Sequence, residues 1–278
     1  MAQFTNKKTK WEKTFAEIWT NYVPPTRPSA AEIVLYTKYL RRLQKQKKEK
    51  IKLLVLGSTP EFRDWGYQES MDVTVVDYNK DNYKVLGSFM RHRNIEENFV
   101  EQDWKDMKFN DAFDIIVGDH AISVLNKNDV PLVVENIAKA LHKNGFFITK
   151  HYFRFGRMKS LVEIFKNYYD KYPNYNVFII TNNKIVQSQT DKKTDYFYFK
   201  KTFNELTRLY KNSGIKKKEY DAYKSCNWAN MKFDLYIPTK AKWEKIIKPY
   251  FSVHAVEYSE DIYSGEMPIY VLKRNKKI

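Results

Sequence analysis

The stretch IKLLVLGSTPEFRDW, residues 51–65, decides how this chain is read. An apolar run broken only by Lys52 ends on a single glycine, Gly57. A nearly continuous Leu/Val/Ile run of that length is the pattern of a strand buried on both faces. Without a Cβ, Gly57 allows a tight turn and close approach of a ligand. Thr59 is expected at the N-cap and Pro60 at the first helical position, so a short helix over 60–69 starts firmly. Its free N–H groups face the end of the strand, where ligands sit in open α/β sheets, and they favour an anionic ligand group.

Outward from this stretch the strand-then-helix pattern repeats. DVTVVDYN is a second strand, followed by a helix over 79–92; NFVEQD is a third. FDIIVGDH is a fourth, followed by a helix from Asn128 to His142, and GFFITKHY is a fifth. Such alternation predicts a mostly parallel sheet with helices on both faces. Upstream, residues 7–22 are expected to form a helix carrying Trp11, Phe15, Ile18 and Trp19 on one side. YVPPTRPSAAE breaks it, and Ser29 with Glu32 forms a capping box that opens a helix reaching about residue 47. Downstream, a helix is expected over 156–171, strands at NVFII and KIVQ within 176–188, and a helix over 202–213 capped by Thr202 and Glu205. KFDLYIP reads as a further strand. TKAKWEKIIKPYF reads as an amphipathic helix, and SVHAVEYSE and PIYVLKRN as an antiparallel pair closing the sheet. Four regions are therefore expected: an N-terminal helical extension or lid (1–50), a ligand-binding core (51–151), an aromatic-rich insertion on the acceptor side (152–238), and a final helix with the closing strand pair (239–278).

The chain has 278 residues, 43% of them hydrophobic, enough for one large domain or a domain with a substantial insertion. Its one cysteine, Cys226, excludes an internal disulfide framework and brings no partners at zinc spacing, so no metal site is expected. The N-terminus shows no apolar core of signal-peptide length, and no window approaches the ~20 apolar residues of a membrane span. The expectation is a cytoplasmic protein with no membrane partner. The net charge of +16 points either to an acidic partner such as RNA or to lysine-rich solvated faces. Lysine greatly outnumbers arginine and is spread along the chain, which favours solvated faces.

Asp77 closes the second strand twenty positions after Gly57, the spacing at which a carboxylate accepts hydrogen bonds from ribose hydroxyls. A ligand containing a nucleoside follows. Nicotinamide cofactors would require glycine at 57, 59 and 62, but Thr59 and Phe62 occupy the last two. No G-K-[ST] of a nucleotide triphosphate loop follows the strand either. S-adenosylmethionine has a nucleoside without a phosphate, and its carboxylate needs only one glycine and a capped helix.

VLGSTPE, VTVVDYN, FVEQDW, FDIIVGDH and LHKNGFFITKHY, in that order, resemble the class I S-adenosylmethionine-dependent methyltransferases. The resemblance covers about residues 51–152, and the closing strand pair fits 252–274. It implies a Rossmann-like α/β fold with a seven-stranded, mostly parallel sheet whose last strand is antiparallel. An N-terminal helical extension and an inserted α+β lid region would flank that core. The family's E-x-G-x-G-x-G loop is here reduced to Gly57-Ser58-Thr59. Carried over by position, Gly57, Ser58 and Thr59 border the methionine moiety, Asp77 binds the ribose and Tyr78 lies against the adenine. Asp103 accepts from the adenine amino group and Trp104 covers its face. Asp119 and His120 end the fourth strand near the departing methyl group. His120, His151 and Tyr152 are candidate bases, and Asp119 is grouped with them as a catalytic candidate. Arg27, in the proline-rich segment, is a candidate partner of the methionine carboxylate, and Lys150 either holds an anionic acceptor or extends from a strand edge. The implied activity is methyl transfer to a small molecule. The alternatives are an RNA or protein methyltransferase using the basic surface, and a non-catalytic nucleoside-binding protein of the same fold.

Overall fold

The computed structural model describes residues 19–92, 96–154, 157, 159–261 and 264–276. The expected helix over 7–22 falls mostly outside them; its described end, Trp19–Asn21, is a 3-10 turn. Helix α1 (Ala30–Gln44) opens at Ser29 with the expected capping box. Strands β1 (Lys52–Leu56), β2 (Asp72–Asp77), β3 (Asn98–Glu101), β4 (Phe113–Asp119) and β5 (Leu141–Lys150) are parallel neighbours in the order β3-β2-β1-β4-β5. Helices α2 (Pro60–Gln68), α3 (Lys80–Gly87) and α4 (Val130–Ala140) connect them. The chain then leaves the sheet through α5 (Leu161–Lys171), α6 (Val177–Gln189), the two-residue strand β6 (Tyr196–Phe197), α7 (Phe199–Lys211), α8 (Lys217–Ser225) and β7 (Leu235–Tyr236). It returns as α9 (Lys240–Ile247), β8 (Phe251–Glu257) and β9 (Ile269–Arg274). β9 lies antiparallel between β5 and β8, completing a seven-stranded sheet with the order β3-β2-β1-β4-β5-β9-β8.

Period-two alternation of the central strands splits the core between the two faces. Leu53, Val55, Ile115 and Val117 pack with Tyr36, Leu40 and Trp65 of α1 and α2. Leu54, Leu56 and Ile116 pack on the other face with Val134, Ile137 and Trp243 of α4 and α9. A third cluster, centred on Phe165, Phe178, Tyr223 and Trp228, lies within the helices after β5.

The departures from expectation concentrate in that excursion. Residues 177–189 form a helix, not the strands expected at NVFII and KIVQ. The Asn176 side chain accepts the Phe178 N–H at 2.8 Å, and Phe178, Ile180, Asn182, Ile185 and Val186 are all buried. Packing on every side overrides the β-preference of Ile and Val. Helix α5 begins after Ser160, which forms a capping box with Glu163, rather than at residue 156. Thr202 does not cap α7; it is buried inside a helix that begins three residues earlier, with Phe199 packed on Phe197 and Trp228. Only Leu235–Tyr236 of KFDLYIP forms a strand. Helices α3 and α4 are shorter than expected, and α4 gives way to β5 at Leu141. Thr59 occupies the N-cap of α2, but its side chain makes no capping hydrogen bond.

Phe62 is fully buried against Tyr36, in the core between α1, α2 and the sheet. Close helix–strand contact comes one turn later, at Gly66: a Cβ there would lie 2.5 Å from Val73 Cγ2 and 3.0 Å from Leu53 Cδ2. Gly66→Ala is therefore expected to lower the unfolding free energy by about 1–3 kcal/mol through overpacking. Urea denaturation of the two proteins tests this; an unchanged midpoint would contradict the packing argument.

Candidate functional site

The sheet order reverses between β1 and β4, and a crevice opens beyond the C-terminal ends of these strands. It holds a cavity of about 160 Å3. Gly57, at φ +86°, turns the chain away from β1 while its N–H donates to the Val76 carbonyl at 2.9 Å. The Trp104 ring lies below it, 3.5 Å from where a Cβ would stand, held by a 2.8 Å bond from Nε1 to the same Val76 carbonyl. Ser58 is buried and donates its hydroxyl to Asp77 Oδ2 at 2.6 Å. Asp77 also accepts from the Asn79 N–H at 3.0 Å and the Asn82 amide at 3.3 Å. Burial raises its pKa, and these donors work in the opposite direction. Tyr78, Asn82 and Leu86 continue this wall, and Trp19 closes it by packing on Leu86. Burial, with Asp77 and Asp103 adding to it, raises the pKa of the Tyr78 hydroxyl.

At the end of β4 the chain turns sharply through His120, at φ 50°. Its ring stacks on Tyr152 with centroids 4.0 Å apart and planes 15° from parallel. Nε2 lies 3.9 Å from Asp119 Oδ1, and neither ring nitrogen makes a hydrogen bond within the protein. Burial lowers the His120 pKa well below the ordinary histidine value, and Lys150 and His151 add to the shift; the nearby Pro25 carbonyl opposes it. The imidazole is therefore neutral at physiological pH.

Behind Asp119 sits a fully buried ammonium. Lys150 Nζ lies 2.7 Å from Glu32 Oε2, 3.2 Å from Asp119 Oδ1 and 2.8 Å from the Pro25 carbonyl. Lys150 thus neither holds an acceptor nor extends from a strand edge; it ties the proline-rich segment and α1 to the sheet. Burial works against its charge, but Asp119 and Glu32 outweigh that and its pKa rises. Burial raises the carboxyl pKa of Asp119 and of Glu32, and Lys150 opposes both shifts.

Gly57, Ser58, Thr59, Asp77, Tyr78, Trp104, Asp119, His120 and Tyr152 line the cavity. Three expected residues do not reach it. Asp103 caps the 3-10 turn Trp104–Asp106 by accepting the Lys105 N–H and pairs with the Lys105 side chain at 3.6 Å. His151 points to the opposite face, 4.4 Å from the Trp243 ring centroid, because neighbouring residues at the end of a strand alternate sides. Burial pushes its pKa down to about 3. Arg27 pairs with Glu61, in the first turn of α2, at 3.4 Å. The structure adds Tyr22 and Thr26 from the proline-rich segment, Asn182 and Val186 from α6, and Phe199, Phe233 and Leu235. Asn182 and Val186 stand four apart on one helical face, a signal hidden by reading this segment as strand. Asn182 Nδ2 donates to Tyr152 Oη at 3.3 Å and to Thr26 Oγ1 at 3.2 Å, joining α6, the segment just after β5 and the N-terminal segment in the cavity wall.

Removing the Lys150 charge leaves two buried carboxylates uncompensated. Lys150→Met is expected to destabilise the fold by about 3–5 kcal/mol at neutral pH. The carboxyl pKa values of Glu32 and Asp119 are raised in the fold, so the folded state takes up protons as pH falls. The deficit should therefore shrink toward acid pH, and loss of the Lys150 cation should accentuate this. Chemical denaturation of both proteins across the range from neutral to mildly acidic pH tests it; a deficit that grows on acidification contradicts the assignment.

Among the described residues, no helix is long and apolar enough to cross a membrane, and no three His, Cys, Asp or Glu side chains are grouped to hold a metal ion. Residues 57–149 match the family described as "Methyltransferase domain". No curated protein sequence matches the chain significantly. Among solved structures, a Rhodobacter sphaeroides protein provisionally described as a Zn-dependent alcohol dehydrogenase is similar at TM-score 0.65 and 13% identity, over 98% of this chain and 100% of that one. A Pyrococcus horikoshii protein is similar at TM-score 0.53 and 14% identity, over 92% and 98%. The N-methyltransferase NodS from Bradyrhizobium japonicum, in complex with S-adenosylhomocysteine, gives TM-score 0.49 and 10% identity, over 95% and 98%. At these identities the likenesses speak to the fold alone.

Proposed function

Because the chain carries a methyltransferase domain over residues 57–149, on a Rossmann-like α/β fold, we propose that it transfers a methyl group from S-adenosylmethionine to a small molecule. The observation that carries this reading is the Ser58–Asp77 pair beside Gly57 and Trp104. A buried carboxylate, held in place by three donors at the end of β2, suits the hydroxyls of a ribose. Trp104 and Tyr78 offer aromatic surface to an adenine, and Trp19 covers it from the proline-rich side. Thr59 and Phe62 leave no glycine-lined path for a pyrophosphate, which sets aside a dinucleotide-dependent oxidation of the kind the Rhodobacter protein's description suggests.

The donor supplies a methyl group already activated on a sulfonium; an acceptor lone pair takes it as the C–S bond breaks, leaving a neutral thioether. What remains for the protein is alignment, exclusion of water and, for a protic acceptor, removal of a proton. His120 is the base this reading assigns. Its neutral imidazole lines the cavity, makes no well-formed hydrogen bond in the protein and has the Pro25 carbonyl nearby; Asp119, 3.9 Å away, stabilises the imidazolium formed when it takes the acceptor's proton. Tyr152 fixes the ring plane by stacking. The segment at 1–50 and the helices within 152–238 act as the cover and the acceptor wall in this reading. Arg27, paired with Glu61, is assigned to holding the cover in place.

Calorimetry with S-adenosylmethionine tests the donor assignment. Asp77→Asn should weaken binding about 10- to 100-fold, the worth of one or two hydrogen bonds to a charged group. Absence of binding by the unaltered protein at millimolar donor would end the reading. With an acceptor found by incubating methyl-labelled donor with a metabolite pool, His120→Gln should lower kcat about 10²- to 10⁴-fold while leaving donor affinity nearly unchanged. Equal turnover by this variant would remove the base from the mechanism.

A further inference from the structure

We propose, resting on the methyl-transfer reading, that the acceptor is an uncharged, largely apolar, ring-sized molecule presenting one O–H or N–H to His120, and that acidic molecules are rejected. The chain carries 49 Lys and Arg against 33 Asp and Glu. Yet no Lys or Arg is among the described residues lining the cavity; its charged groups are Asp77 and Asp119. Two cations that flank the crevice among the described residues are committed. Lys150 lies between Glu32 and Asp119, and Arg27 pairs with Glu61. Even with Asp119 protonated, Glu32 balances Lys150 and Asp77 leaves the crevice negative. The basic exterior therefore does not extend to the site. A carboxylate, sulfonate or phosphate on the acceptor would lose its hydration, gain no cation from the protein and meet the like charge of Asp77.

The walls point the same way. Val124, Val186, Phe199, Phe233 and Leu235 form an apolar acceptor side, drawn from the turn after β4, from α6 and α7, and from β7 and the residues before it. The polar groups of the mouth largely satisfy one another, through Asn182, Thr26 and Tyr152. Tyr78 Oη and Asn82 Oδ1 also lack partners, but they lie on the Asp77 wall assigned to the donor. Away from that wall it is His120, its side chain about nine-tenths buried, whose ring makes no well-formed hydrogen bond in the protein and has the Pro25 carbonyl nearby. A buried polar group without a partner calls for one from a ligand. A single donor on an otherwise apolar ring meets the acceptor nitrogen of the imidazole, whose N–H has the Pro25 carbonyl nearby, and leaves no other polar group of the ligand stranded.

The test uses the full chain saturated with S-adenosylhomocysteine and two pairs of probes matched in shape: 2-naphthol with 6-hydroxy-2-naphthoate, and 8-hydroxyquinoline with its 5-sulfonate. Calorimetry should show the uncharged member of each pair binding at least about tenfold more tightly. Val186→Arg, which places a cation in the apolar wall, should narrow or reverse that preference. An anionic member that binds as well as its neutral partner overturns the proposal, as does failure of both neutral probes to bind the loaded protein at millimolar concentration. A chain that does not take up S-adenosylhomocysteine at all overturns the methyl-transfer reading itself. One that takes it up and favours the anions overturns only the acceptor class.

Discussion

The site depends on one buried contact, the Lys150 ammonium held between Glu32 and Asp119 with the Pro25 carbonyl as a further acceptor. Three pieces of chain distant in sequence meet there: the first turn of α1, the end of β4 and the end of β5. A buried ion pair gains little net stability over apolar packing, but breaking one is costly, so such a contact acts chiefly by fixing one arrangement. Here the arrangement fixed is the proline-rich segment lying across the crevice. Tyr22 and Thr26 line the cavity because Pro25 and Glu32 are tied to Lys150.

The same contact shapes the electrostatics of the crevice. Two carboxylates share one ammonium, so the buried cluster carries no surplus positive charge that could raise the affinity for a proton-poor ligand. It also lies beside His120, and the Lys150 charge helps keep that imidazole neutral. The ring therefore stands neutral and stacked on Tyr152 at the cavity wall. The cation responsible stays fully buried and does not line the cavity.

The sheet and its switch point were legible in the sequence because buried parallel strands are written as short, nearly unbroken Val/Ile/Leu runs. Each such run, from KLLVL to FDIIV, became the strand expected of it. Asp77 and Trp104 could be located because one ends β2 and the other opens the 3-10 turn shortly after β3. The excursion after β5 was less legible. VFIITNNKIVQSQ has strand-like composition, and only burial on all sides makes it a helix. Asn182 was therefore out of sight, since its place in the cavity exists only once the segment is helical. His151 shows the other limit. Its neighbours on both sides, Lys150 and Tyr152, lie on one side of the sheet end, and the same alternation puts the His151 ring on the other, against Trp243. Adjacent residues share a sequence position but not a side of the sheet.

The reduced glycine loop is explained by where close contact is required. A pyrophosphate demands backbone approach along the whole loop, hence glycines at three positions. Here the turn out of β1 needs φ +86°, which only Gly57 supplies without strain, while the helix–strand contact has moved to Gly66. The positions between are then free for other work. Ser58 orients Asp77, Pro60 starts α2, and Phe62 joins the core beside Tyr36. Trp104 fills the space that remains beneath Gly57, so a ligand meets an aromatic floor in place of a row of backbone amides. An indole beside a single glycine offers a flat, weakly polar surface, which suits the nucleoside of the proposed donor better than the diphosphate of a dinucleotide.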